Sequence, residues 1–197
     1  MKKLLKAIGR FIVRGAIYIY CKIVYKAEII GLENIPKNEP LIFCGNHKSY
    51  LDPPLLVATA KVNVRFIAKE ELRKNPFFAF LGVIFEGIYV KRDSKDIGPL
   101  KEILKSLKNG ECIAIFPEGT RNGLEKGEKV KGGAAYFAIK SGAKVIPVGV
   151  KGGDKKWQKV TIKYGKPLDF RKRDSKEKDE VEKITNEIME NIKELIK

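Results

Sequence analysis

Histidine, tryptophan and glutamine each occur once in the 197 residues, and cysteine only three times. One histidine, with no carboxylate cluster at ligand spacing, leaves no zinc-type metal site to read. Cys21, Cys44 and Cys112 are odd in number and far apart, with no Cys-x-x-Cys pair. That excludes a disulfide framework and predicts three buried, reduced thiols. Long apolar runs are absent too. The longest charge-free stretch, Asn75 to Phe85, has eleven residues, against the roughly 18 that span a bilayer as a helix. No Gly-x-Gly-x-x-Gly or Walker loop is present, so no dinucleotide cofactor is expected. No serine sits in a Gly-x-Ser-x-Gly elbow, which removes the usual mark of an activated serine nucleophile.

What is present begins with charge. Forty Lys and Arg against 24 Asp and Glu give a formal net charge of +16. Such a field favours polyanionic partners: nucleic acid, an anionic membrane surface or phosphorylated substrates. The basic groups do not interleave with aromatics as in an RNA-binding sheet, which leaves nucleic-acid binding as the second reading. With 44% hydrophobic residues the chain is long enough for one well-buried core.

The chain divides into an N-terminal segment, residues 1–26, and a body, residues 27–197. The first 26 residues hold seven basic groups and no acid. Lys2, Lys6, Arg10 and Arg14 recur every four residues, forming a stripe on a helical face. Leu4, Leu5, Ile8, Phe11, Ile12 and Ile19 cover much of the rest. This predicts a basic amphipathic helix serving as a membrane-surface anchor, with two shorter helices broken near Gly15 as the alternative. An ordinary helix packed on the body is the competing reading.

From residue 27 short apolar runs alternate with helical patterns. Strands are expected at Glu28–Ile30, Leu41–Cys44, Val64–Ile67, Ile88–Lys91, Cys112–Phe116, Val145–Val150 and Val160–Tyr164. Continuous apolar runs in the middle ones predict a sheet covered on both faces. Val160, Ile162 and Tyr164 alternate with polar residues, which predicts an edge strand. Helical patterns fall at Pro53–Ala60, Leu100–Leu107 and Ala134–Ser141, and a C-terminal amphipathic helix carries Val181, Ile184, Ile188, Ile192 and Leu195. The fold class is therefore α/β: a single mixed, largely covered β-sheet flanked by helices.

Two segments carry chemistry. His47 follows the strand Leu41–Cys44, at the sheet edge where α/β folds place their sites. Asp52, five residues on, can meet it across a tight loop and fix the imidazole as a general base. Asp52 before Pro53 also reads as a helix N-cap, and His47 as a plain loop residue. The second segment, Phe116-Pro117-Glu118-Gly119-Thr120-Arg121, forces a turn after another strand. Thr120, Arg121 and exposed backbone N–H groups there suit a phosphate.

Asn46-His47-Lys48-Ser49-Tyr50-Leu51-Asp52 and Phe116–Arg121 resemble two signature blocks of the glycerolipid acyltransferases. Ala68-Lys69-Glu70-Glu71-Leu72, Ile88-Tyr89-Val90-Lys91-Arg92 and Val145-Ile146-Pro147-Val148 are similar to further blocks in the same order. Glu86 departs from the pattern, standing where many members carry glycine. The resemblance covers roughly residues 27–170 and is nearest to the lysophosphatidic acid type.

The resemblance implies an enzyme of phospholipid biosynthesis that makes phosphatidic acid without a covalent intermediate. His47, oriented by Asp52, would deprotonate the sn-2 hydroxyl of lysophosphatidic acid, which attacks a thioester of acyl carrier protein or coenzyme A. Lys69, Arg92 and Arg121 would hold the acceptor phosphate. Glu118, Gly119, Thr120 and Pro147 would shape its pocket. The thioester is a co-substrate, and neither cofactor, metal nor nucleic acid is expected. Another lyso-phospholipid or glycerol 3-phosphate is the alternative acceptor. Two long-chain substrates imply a peripheral or monotopic enzyme on the cytoplasmic face of the cell membrane. The apolar segment Pro76–Phe85 is expected either to touch that membrane or to fill the core.

Overall fold

A computed structural model describes residues 2–91, 96–119, 121, 123, 130–153, 155–173 and 178–197. Seven strands form one sheet: β1 (Glu28–Ile30), β2 (Leu41–Gly45), β3 (Val64–Lys69), β4 (Ile88–Val90), β5 (Cys112–Ile115), β6 (Lys144–Gly152) and β7 (Val160–Tyr164). Their order is β1-β7-β6-β2-β5-β3-β4. The β6–β7 pair is antiparallel and the others are parallel. The mixed α/β sheet expected from the apolar runs is the fold observed.

Six helices cover both faces: α1 (Lys2–Val24), α2 (Asp52–Thr59), α3 (Pro76–Ile84), α4 (Gly98–Lys108), α5 (Gly133–Ser141) and α6 (Lys178–Ile196). Along β2 the side chains alternate between two cores, as the pleat requires. Leu41 and Phe43 pack with Leu55 and Leu56 of α2 and Leu81 of α3. Ile42 and Cys44 pack with Leu107 of α4, Phe137 of α5 and Ile188 of α6. Leu55 and Leu56 are wholly buried, so truncating either to alanine costs about 2–5 kcal/mol. Local signals set the helix ends. The Asn75 side chain accepts from the Phe77 and Phe78 N–H groups at the start of α3, where Pro76 takes the first position. Gly142, left-handed at φ 73°, ends α5.

One expectation needs correction. β7 is interior, lying between β6 and β1. Val160, Ile162 and Tyr164 are buried while Thr161 and Lys163 are partly exposed. Alternation reports that one face is better covered, and it says nothing about which strands lie alongside. Residues 2–24 form the single helix expected, continuous through Gly15, because packing on the body offsets the roughly 1 kcal/mol that a helical glycine costs; the alternative of two shorter helices is not seen. Two cations of the basic stripe also tie the helix to the body. Lys6 and Arg10 pair with Glu86 at 3.2 and 3.3 Å, and Arg10 also donates to the Ile84 carbonyl.

The same helix carries two apolar faces. Val13, Ile17 and Cys21 pack into the core beside α2. Leu5, Ile8, Phe11, Ile12, Ile19 and Ile23 are exposed. Neighbouring α3 divides likewise: Leu81 and Gly82 are buried, while Phe77, Phe80 and Val83 are open. Glu86 itself sits at φ 52°, a conformation glycine adopts without penalty. Here its carboxylate binds α1 to the body. Among the described residues, no helix is long and apolar enough to cross a membrane.

Candidate active site

The sheet brings the two signature loops together. β2 and β5 are parallel neighbours, with Cys44 opposite Ile115. Their carboxyl ends therefore release the His47 loop and the Phe116–Arg121 loop side by side. β3 pairs with the other edge of β5, so Lys69 emerges at the same end of the sheet.

Asn46 anchors the first loop. Its side-chain amide donates to the Val150 carbonyl at 2.9 Å, and its Oδ1 accepts the Val150 N–H at 2.7 Å. This extends the β2–β6 ladder by one residue with a side chain. Asn46 is 1% exposed, so Asn46→Ala leaves both Val150 backbone groups unpaired in the interior. We expect it to lower unfolding free energy by about 2–4 kcal/mol, the cost of two orphaned buried groups. Urea titration checks this, and an unchanged midpoint would deny the anchor its role.

Asp52 closes the loop. Its Oδ2 accepts the Lys48 N–H at 2.6 Å and the Ser49 N–H at 2.8 Å, and lies 3.1 Å from His47 Nδ1. Its Oδ1 accepts the Ser49 hydroxyl at 3.1 Å. Asp52 is the first residue of α2, whose N-cap position is Leu51, and it makes no capping bond of its own. The sequence reading as an N-cap is thus overturned: the carboxylate reaches back because four donors in residues 47–49 converge on it. On the other side, Glu118 Oε1 accepts the His47 backbone N–H at 2.9 Å, and the Phe116 ring packs on the imidazole with centroids 4.8 Å apart. Gly119, at φ 65°, lets the chain turn directly after Glu118.

His47 opens onto a cavity of about 340 Å3. One part of its lining is cationic, with Lys69, Arg121 and Lys131. The rest is largely apolar, including Val57 of α2, Phe66 of β3 and Leu81 of α3. The Arg121 guanidinium stacks over the Tyr50 ring, 4.0 Å from its centroid, and Tyr50 in turn packs against Phe78 of α3.

His47, Lys69, Gly119 and Arg121 line this cavity together, and Asp52 holds His47 from behind. Glu118 is not among the lining residues; it is buried and bound to the His47 backbone. Pro147 lies in β6 opposite Cys44, buried and outside the lining. Arg92 and Thr120 lie outside the described residues. Sequence reasoning missed the Tyr50 platform and Lys131. Tyr50 lies within the His–Asp loop itself, and Lys131 lies in a Gly- and Lys-rich stretch, residues 127–133, that carries no recognisable motif.

Two possible nucleophiles near His47 are poorly placed. Cys44 is fully buried, and burial pushes its thiol well above the ordinary range. The Ser49 hydroxyl donates to Asp52. Among the described residues no group of three His, Cys, Asp or Glu side chains could hold a metal.

The chain is similar to known proteins in sequence and in fold. A family model described as acyltransferase matches residues 26–151. A 1-acyl-sn-glycerol-3-phosphate acyltransferase of Borreliella burgdorferi is 34% identical over 125 residues, 62% of this chain and 50% of that protein. The chain therefore spans about half the length of that relative. A 1-acyl-sn-glycerol-3-phosphate acyltransferase of Bacillus subtilis is 28% identical over 191 residues, 92% of this chain and 89% of its own. The crystal structure of the 1-acyl-sn-glycerophosphate (LPA) acyltransferase PlsC from Thermotoga maritima matches 99% of this chain and 83% of that one, with 28% identity and a TM-score of 0.75. The model match covers well over half of the sequence, including both loops that meet at His47, and the chain belongs to the acyltransferase family.

Proposed function

We propose that the protein transfers a fatty acyl group from a thioester, of acyl carrier protein or coenzyme A, to the free hydroxyl of 1-acyl-sn-glycerol 3-phosphate. The observation that carries this reading is one cavity lined by His47, three cations and an apolar wall. A lyso-phosphate lipid presents the matching features: a hydroxyl, a phosphate and a hydrocarbon chain.

In this reading Asp52 accepts from His47 Nδ1–H, which leaves the Nε2 lone pair free to act as base. Nε2 takes the hydroxyl proton as the oxygen attacks the thioester carbonyl. The tetrahedral intermediate collapses, the carbon–sulfur bond breaks, and the imidazolium returns the proton to the departing thiolate. Arg121, Lys69 and Lys131 hold the phosphate, with Arg121 offering a planar fork pre-set by Tyr50. Holding the reacting groups in one cavity supplies much of the acceleration.

The transfer is direct. Cys44 is buried with its thiol raised, and the Ser49 proton is committed to Asp52, so neither serves as an acyl carrier. Incubation with thioester donor alone is therefore expected to leave the protein mass unchanged under rapid quench. A stable mass increase of one acyl group, removable by acceptor, would replace this mechanism with a two-step one.

Both substrates carry long chains, and the outer faces of α1 and α3 give the protein somewhere to meet them. The two helices are joined where Arg10 bonds to Ile84. Their exposed Leu, Ile, Phe and Val side chains enter the interfacial region of a bilayer, holding the enzyme at the surface without crossing it. Removal of residues 1–26 is a poor test of this, because Cys21 and Ile17 are part of the core; substitutions on the outer face are the suitable probe.

A further inference from the structure

A second groove, about 610 Å3, lies between α1 and the turn that follows α2, lined chiefly by Arg10, Phe11, Arg14, Ile19, Lys61 and Asn63. No carboxylate lines it. α2 separates it from the catalytic loop: Asp52 opens the helix, whereas Ala58, near its other end, lines the groove. The six-residue step from Asp52 to Ala58 places the two about 9 Å apart along the axis.

Two of its three cations have no carboxylate beside them among the described residues. Arg10 is committed to Glu86 and the Ile84 carbonyl. Arg14 is half-buried and makes no ion pair or hydrogen bond among the described residues. Burial and the like charge of Arg10 pull its guanidinium below the ordinary value, with the Tyr164 hydroxyl partly opposing. A guanidinium does not give up its proton to relieve such a position, so the favourable remedy is an anion. Lys61 also pairs with no carboxylate among the described residues and is held at φ 56° on the tight turn between α2 and β3. The same groove carries Phe11, 80% exposed, and Ile19, both part of the apolar face of α1.

We infer that this groove binds the phosphate-bearing headgroup of an anionic membrane lipid, with Arg14 and Lys61 contacting the phosphate and the lipid's hydrocarbon lying along Phe11 and Ile19. The site is distinct from the cavity at His47 and is not consumed by turnover. It rests on the interfacial docking proposed above and deepens it. Apolar side chains supply adhesion to any bilayer, and the groove makes that adhesion selective for acidic lipid. Charge complementarity argues for this occupant, as does the continuity of the groove with the face that meets the membrane.

Vesicle co-sedimentation tests it, using phosphatidylcholine vesicles with and without phosphatidylglycerol. The wild type is compared with Arg14→Gln combined with Lys61→Asn, and with a charge-matched control, Lys101→Gln combined with Lys108→Gln. The control lysines are exposed on α4, on the opposite face of the sheet. Lys61→Asn suits the left-handed turn, and Arg14→Gln orphans no acid. Circular dichroism checks each fold, and Lys61→Asn alone serves if the double variant melts. The wild type should prefer anionic vesicles, and each groove cation should account for roughly fivefold of that preference. The groove variant should lose the preference while still binding neutral vesicles, and the α4 control should retain most of it. Loss no greater in the groove variant than in the control would overturn the site while leaving membrane docking standing. Failure of the wild type to bind either vesicle would overturn the docking itself, and the site with it.

Discussion

His47→Ala lowers turnover by roughly a hundred- to ten-thousand-fold, the usual worth of a positioned general base, and leaves the protein folded. The fold survives because the imidazole is not what closes its loop. Asp52 still accepts from the Lys48 and Ser49 backbones, and Glu118 still accepts the residue-47 backbone N–H. Asp52→Asn separates charge from geometry. The amide oxygen can occupy the Oδ2 position and accept the same donors, so the loop and the imidazole orientation persist. What disappears is the negative charge facing the imidazolium, and turnover should fall by about 10- to 100-fold, the range for a hydrogen bond to a charged group. Steady-state kinetics beside thermal melting decides the point. A folded His47→Ala protein with near wild-type turnover would remove His47 from the mechanism.

Arg121→Ala should reduce kcat/KM for the lyso-phosphate acceptor by about a hundredfold, since two charge-assisted bonds to phosphate are lost. Arg121→Lys should recover only part of this, because an ammonium has neither the fork nor the flat face that rests on Tyr50. Tyr50→Leu removes the platform and should cost about two- to fivefold, as expected for an exposed cation–π pair. The informative arm is an acceptor without phosphate, such as a monoacylglycerol. Arg121→Ala and wild type should acylate it equally poorly. Equal loss on both acceptors would show that Arg121 supports the loop and does not read the phosphate.

Much of this site could be read along the chain because its parts are local. Apolar runs before His47 and Phe116 marked strand ends, and Pro117 with Gly119 marked a turn. Parallel pairing of β2 with β5 then placed the two loops together. Contacts set by the third dimension were not legible. The spacing of Lys6 and Arg10 described a charged stripe but not its partner, Glu86, which lies about eighty residues away. The spacing also could not tell that Val13, Ile17 and Cys21 pack into the core while Phe11, Ile12 and Ile19 stay exposed. Asp52 fitted an N-cap by position, yet its carboxylate faces backward, since His47, Lys48 and Ser49 offer it more donors than its own helix does. Lys131 joined the cation cluster through folding of a segment with no motif of its own.

The central claim is that one cavity unites a base, a phosphate clamp and an apolar wall for transfer to a lyso-phosphate lipid. Its most direct test is product analysis by mass spectrometry. Purified protein is given 1-acyl-sn-glycerol 3-phosphate with acyl carrier protein thioester or acyl coenzyme A, in parallel with other lyso-lipids. The account predicts phosphatidic acid and free thiol in equal amounts from at least one donor, with lyso-phosphate lipid preferred over acceptors lacking a phosphomonoester. Absence of phosphatidic acid with both donors, or equal acylation of acceptors without phosphate, would contradict it.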